Sequence, residues 1–168
     1  VLLLITCAFC RMDKVFLQCR DASPMAFDCP FISVRLRALC LATEVEERVL
    51  AAVRFASSSE ELKVVKTSGH FGTPITIVEA ELGKAGDVRR FMGHVDGAGI
   101  RAALAGQADA RVDDERVFHF RLDKQQAYLG KLALAEGKDV IDVAMKVGVY
   151  PASRDAAVRA VGVSNYSA

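Results

Sequence analysis

The sequence predicts an α+β domain, a mostly antiparallel sheet with helices packed on one of its faces. Two stretches, Phe31 to Leu41 and Arg116 to Leu122, alternate apolar and polar residues with the period of a half-buried strand. Between and after them lie segments whose apolar residues recur at helical spacing. The elements run strand, helix, two strands, helix pair, strands, helix, rather than in the strict βαβ alternation of a parallel sheet.

In the first strand Ile32, Val34, Leu36 and Ala38 alternate with Ser33, Arg35 and Arg37, so the two arginines share a face. Thr43-Glu44-Val45-Glu46 has the spacing of a capping box and predicts a helix to about Ala56, burying Val45, Val49, Ala52 and Val53. Ser57-Ser58-Ser59 ends it. Leu62 to Thr67 is the next strand, carrying Lys63 and Lys66, and Gly69-His70-Phe71-Gly72-Thr73-Pro74 turns it into a strand from Ile75 to Leu82. His70 and Phe71 stand at the tip of that turn, where loops carry function; the alternative is a plain hairpin whose phenylalanine packs into the core. Helices follow over Asp87 to Val95 and Gly99 to Gln107, broken at Gly97. Asp113-Asp114-Glu115 is expected to turn one strand into the next. In that second strand Phe118, Phe120 and Leu122 point to the core while Val117, His119 and Arg121 face outward. Lys124 to Gly130 reads as a short helical turn, Lys131–Ala135 and Lys138–Val147 as a hairpin, and Ser153 as the cap of a last helix burying Ala157, Val158 and Val161.

At 168 residues the chain has the length of a single domain. Residues 1–29 stand apart: cysteine-rich, poorly periodic and closed by a turn at Asp21-Ala22-Ser23-Pro24, they are expected to form an N-terminal arm or extension. Residues 30–168 are then the α+β domain, and Met25 is a candidate natural start. Net charge is +1, with a pI near 7.8, below the value of about 9 typical of strongly basic nucleic-acid binders. A nucleic-acid partner would therefore have to be met by a local patch. Asparagine and glutamine together number five, a scarcity that favours a thermophilic source. Val1 to Ile5 is too short to span a bilayer and lacks the flanks of a secretory signal, so the expected location is cytoplasmic, without a membrane partner.

Cys7, Cys10, Cys19, Cys29 and Cys40 supply one CxxC knuckle, where a zinc ribbon needs two. Buried thiols are the expectation, with a structural disulfide as the alternative. The histidines His70, His94 and His119 fall in different elements and lack metal-ligand spacing, so no metal and no cofactor are expected. Asp113, Asp114 and Glu115 read as a solvated turn. The glycine spacing around His70 is neither a P-loop nor a dinucleotide fingerprint, and no nucleophile elbow occurs. What remains is a candidate basic face: Arg35 and Arg37 on one strand, His119 and Arg121 on another, with Lys124, Lys66, Lys63 and Lys131 nearby in sequence, able to contact phosphates if the strands are neighbours. Arg116 to Arg121 has a faint likeness to an aromatic RNA-binding strand, but alternation points both phenylalanines inward, away from bases.

The Gly69-His70-Phe71-Gly72-Thr73-Pro74-Ile75 turn, the Arg111-Val112-Asp113-Asp114 hairpin and the Arg121-Leu122-Asp123-Lys124-Gln125 exit together resemble an archaeal family of predicted RNA-binding proteins described as candidate exosome subunits. The resemblance covers about Phe31 to Val161. That family is similar in fold to the ribosomal protein that binds 5S ribosomal RNA. The resemblance implies a sheet packed on helices, brings no catalytic residues, and marks His70, Phe71, Arg121, Asp123, Lys124 and Gln125 as motif positions.

The first expectation is thus a non-enzymatic RNA-binding protein, working with subunits of an RNA-processing complex. Its RNA-contacting set would be Arg35, Arg37, Lys66, His70, Phe71, His119, Arg121, Lys124 and Gln125. The alternative is a protein-binding assembly module, a homodimer through a sheet edge or the arm. A hydrolase or nuclease would require His70 to converge with Asp113 or Asp114.

Overall fold

The computed structural model describes residues 29–69 and 72–162. Residues 1–28 of the arm expected over 1–29, with Cys7, Cys10 and Cys19, and the turn residues His70 and Phe71 lie outside the described residues. Cys29 and Cys40 are free thiols, and Cys40 is buried.

Strands β1 (Phe31–Leu41), β2 (Lys63–Ser68), β3 (Pro74–Leu82), β4 (Val117–Asp123) and β5 (Val140–Val147) form one antiparallel sheet in the order β2-β3-β1-β5-β4. The long β1 is central because both of its edges are paired, to β3 and to β5. Its alternation sends Val34, Leu36, Ala38 and Cys40 to one face, where they meet Val78, Ala80 and Leu82 of β3 and Ile141, Val143 and Met145 of β5. Phe118, Phe120 and Leu122 of β4 complete that face, so the inward direction expected for the phenylalanines is the observed one. Helices α1 (Glu46–Ser57) and α2 (Ala85–Gly97) cover it, burying Val49, Ala52 and Val53 from one and Val88, Phe91 and Val95 from the other. The fold is the α+β class that the sequence predicts.

Several local readings are corrected. Thr43 and Glu46 form no capping box: α1 starts at Glu46 with extended Val45 as its cap residue, and no side chain caps it. The acid that turns back is Glu44, whose carboxylate accepts the amide of Leu41 at 2.8 Å. Glu46 instead takes the hydroxyl of Thr76, at 3.5 Å, and pairs with Lys66. The second helix of the expected pair is a chain of short turns, α3 (Ile100–Leu104), a 3-10 turn and α4 (Ala108–Arg111), entered through Gly99 at φ +70°. Such a φ suits glycine.

Asp113 to Glu115 therefore joins a helix to a strand, and only Val112, bridged to Phe118, is left of the strand expected before it. Lys131–Ala135 does not pair with β5. After Gly130, at φ +78°, residues 133–135 run along the outer edge of β4, where Asp123 donates to Ala133 and Ala135 to Arg121, each at 3.0 Å. β5 instead fills the gap between β1 and β4. Local alternation marks a strand but does not choose its neighbour. Helix α5 (Lys124–Tyr128) is capped by the Asp123 carboxylate, which accepts the amide of Gln126 at 2.7 Å. α6 (Arg154–Gly162) follows Ser153, whose hydroxyl takes the amide of Ala156.

The central strand sets the fold's stability. Leu36→Ala, at a fully buried site, should cost about 2–5 kcal/mol. Ile32→Ala, at an exposed position of the same strand, should stay within about 0.5 kcal/mol. Urea titrations with unchanged m-values would show both.

Candidate functional site

The face of the sheet turned away from α1 and α2 carries the second half of every alternation. Residues directly opposite in an antiparallel pair point to the same side. Lys63 of β2 lies opposite Glu79 of β3, Glu79 opposite Arg37 of β1, Arg37 opposite Asp142 of β5, and Asp142 opposite Arg121 of β4. The result is a row of alternating charge that crosses the whole sheet. Arg121 Nε reaches Asp142 at 2.8 Å and Arg37 Nε reaches Glu79 at 3.6 Å. One row along, Arg35 meets Glu81 at 2.8 Å, and Ala144 separates it from His119. Both partners in the Arg35 and Arg121 pairs are more than half exposed.

A single-sign basic field is therefore not what the face presents. β1 and β4 are not neighbours, because β5 lies between them and brings Asp142 into the space between the arginines. The remaining end of the face is apolar: Leu39 and Leu41, opposite Ile77 and Ile75, with Val65 beside them. Leu39, Leu41 and Val65 are exposed.

Beside β4 the turn before the strand builds a groove of about 450 Å³, with Arg111, Asp113, His119, Arg121 and Asp142 in its walls. Asp113 organises it. Its carboxylate accepts the Val117 amide at 2.8 Å and lies 2.9 Å from His119 Nε2. Burial pulls the Asp113 carboxyl upward, but the hydrogen bonds from His119 and Val117 outweigh that and hold it below the usual aspartate value. Asp113 is thus engaged at the β4 edge of the sheet. Among the described residues no three His, Cys, Asp or Glu side chains gather as metal ligands.

Lys124 has a different place from the one expected. It is 5% exposed, and its ammonium meets Glu44 at 2.7 Å, Asp139 at 2.5 Å and the carbonyl of Leu39 at 2.8 Å. All three hydrogens of the group are engaged, so nothing remains for a phosphate. Burial alone would lower its pKa; the hydrogen bonds and charges of Asp139 and Glu44 raise it instead. For Asp139 burial raises and the bonds from Lys124 and Gln125 lower, with a net fall. Lys66 stands opposite Thr76, on the helix side of the sheet, and pairs with Glu46 of α1 at 3.7 Å. It does not share a face with Arg35 and Arg37. Gln125 sits at the corner between α1 and α5 and donates to Asp139 at 2.6 Å.

The structure thus brings Arg35, Arg37, His119 and Arg121 to one face and separates Lys66, Lys124 and Gln125 from it. Sequence reasoning missed Asp142 and Lys146, which the alternation of Val140, Asp142, Ala144 and Lys146 displays once β5 is known to lie between β1 and β4.

A family model described as RNA binding matches residues 33–147, from β1 to the end of β5. The chain is 37% identical over 138 residues to the RNA-binding protein PAB1135 of Pyrococcus abyssi, covering 77% of this chain and 90% of that protein. To the uncharacterized protein MJ0213 of Methanocaldococcus jannaschii it is 31% identical over 142 residues, covering 77% and 93%. Among solved structures it is similar to Mth689, a DUF54 protein from Methanothermobacter thermautotrophicus, with a TM-score of 0.69, 27% identity, and 78% and 95% of the two chains covered.

The buried cluster makes its own prediction. Lys124→Met leaves two carboxylates and a carbonyl without their cation and should cost about 3 kcal/mol, the low end for a buried pair because Asp139 keeps some water. Asp139, held below its usual value, stabilises the fold above about pH 4 and loses that contribution as pH falls through its folded value. Lys124, held above its usual value, contributes below about pH 10 and loses it as pH rises further. The stability gap between wild type and Lys124→Met should therefore be widest between these limits and narrow below about pH 4, measured by chemical denaturation across pH.

Proposed function

We propose that this chain, which belongs to the RNA-binding family, binds RNA without chemical turnover through the open face of its sheet, with Arg35, Arg37 and Arg121 on phosphates. The observation that carries the reading is the charge row across a face that neither α1 nor α2 covers. Exposed ion pairs contribute only about 0–1 kcal/mol, so a phosphate can replace a carboxylate at little cost. Until then the carboxylate holds the guanidinium extended over the face, in the planar geometry that suits bidentate contact. His119 and Arg111, in the groove beside β4, extend the track past the sheet edge. The name of the Pyrococcus abyssi relative supports the same partner. The motif resemblance of the Arg121–Gln125 run supports a place beside RNA-processing machinery, as an accessory subunit.

A second reading has one observation in its favour. The exposed Leu39, Leu41 and Val65 form an apolar end of the same face, of the kind that marks association between proteins. Sedimentation of wild type and Leu41→Lys would expose a dimer held there.

Titration of single-stranded RNA over a range of salt tests the main reading. Each arginine removed should lower the slope of log affinity against log salt by about 0.7. Asp142→Asn should act in the opposite direction and tighten binding, since it frees Arg121 from its paired anion and removes a negative charge opposite Arg37. Binding that ignores salt and both substitutions would remove the sheet face from consideration.

A further inference from the structure

The corner between α1 and α5 holds a hollow of about 240 Å³ lined by Thr43, Glu44, Arg48, Lys124, Gln125 and Tyr128, together with the apolar walls Val45 and Val49. Neither the charge row nor the groove beside β4 includes it. Tyr128 is 46% exposed, a large share for an aromatic ring on a helix, and the guanidinium of Arg48 lies 5.9 Å from the ring centroid. Among the described residues Arg48 makes no ion pair with an acid. Gln125 gives its amide nitrogen to Asp139 at 2.6 Å, which leaves its carbonyl oxygen as an acceptor at the rim. The floor is the Lys124–Glu44 pair, immobilised by its own bonds.

We infer that this hollow is a nucleobase pocket, which takes one unpaired base of an RNA strand already lying on the sheet; the inference rests on the RNA-binding reading above. A planar base stacks on the exposed Tyr128 ring once the Arg48 guanidinium, 5.9 Å from the centroid, swings outward and closes on the other face of the base. Rings and guanidinium groups both stack on π-faces, and stacking of this kind accepts every base. The Gln125 carbonyl, the Thr43 hydroxyl and the Arg48 N–H groups offer an acceptor and donors to a base edge, the pattern by which unstacked bases are read. Continuity with the face supports the same occupant. A second hollow of about 270 Å³, lined by Leu39, Leu41, Glu44, Lys124, Lys138, Asp139, Val140 and Asp142, shares Glu44 and Lys124 with the corner and Asp142 with the charge row. The Lys124–Glu44 pair is thus a wall with a hollow on each side, and a strand leaving Arg121 and Asp142 passes over Leu39 and Val140 before it turns into the corner.

Fluorescence anisotropy with single-stranded homopolymer 12-mers of each base and with an RNA duplex tests this on the full chain, with melting curves to verify folding. Tyr128→Ala should weaken binding to the preferred single strand roughly 5- to 100-fold at an unchanged salt slope, because stacking and not a phosphate contact is lost. Tyr128→Phe should stay near wild type, Gln125→Ala should shrink the differences among the four bases, and duplex binding should not move. Ultraviolet cross-linking of wild type to the preferred strand should label the tryptic peptide of residues 125–131, a readout that needs no variant. Wild-type affinity for single strands in Tyr128→Ala, an equal loss on duplex, or cross-links confined to other peptides would each overturn the pocket. If Arg121→Ala still weakens binding in that case, the sheet reading stands without it. If wild type binds none of these RNAs at low salt, both fall.

Discussion

The ammonium of Lys124 is the contact on which the rest of the site depends. A buried cation costs several kcal/mol in lost hydration unless it is fully coordinated. Here coordination comes from three separate parts of the chain: the Glu44 turn before α1, Asp139 before β5, and the Leu39 carbonyl on β1. That carbonyl lies where β1 continues beyond the last pair it makes with β5, at Ala38 and Ile141. The lysine thus supplies the donor that a longer strand would have offered. Satisfying it fixes the turn that launches α1, the position of α5, and the end of the sheet at once.

The open face follows from the strand order. Had β1 and β4 been adjacent, Arg37 and Arg121 would have faced each other and repelled. With β5 between them, Asp142 neutralises the contact and Glu79 and Glu81 do the same from β3. The near-neutral composition of the chain is thus reproduced locally, row by row. A face of this kind attracts a polyanion weakly at long range and exchanges partners at short range.

Function also separates from packing along single strands. In β4, Phe118, Phe120 and Leu122 belong to the core, while His119 and Arg121 between them belong to the groove and the charge row. In α5, Lys124 is structural, and Gln125 and Tyr128 line the corner hollow. Neighbouring residues therefore belong to different parts of the molecule, and the Arg121–Gln125 run is divided between both.

By itself the sequence determined the α+β class, the two faces of β1 and β4, the C-terminal end of α1 and the serine cap of α6. Each rests on a local rule: side chains alternate along a strand, recur every three to four residues on a helix, and cap within one turn. The tertiary structure alone decided which strands are neighbours, and with that the sign of the open face, the helix-side position of Lys66, and the failure of the 131–135 hairpin. It also decided that Lys124 is buried, since its acceptor at Leu39 is 85 residues away in the chain. Periodicity carries the direction of a side chain, but strand pairing is a long-range choice, and the charge a face presents depends on that pairing.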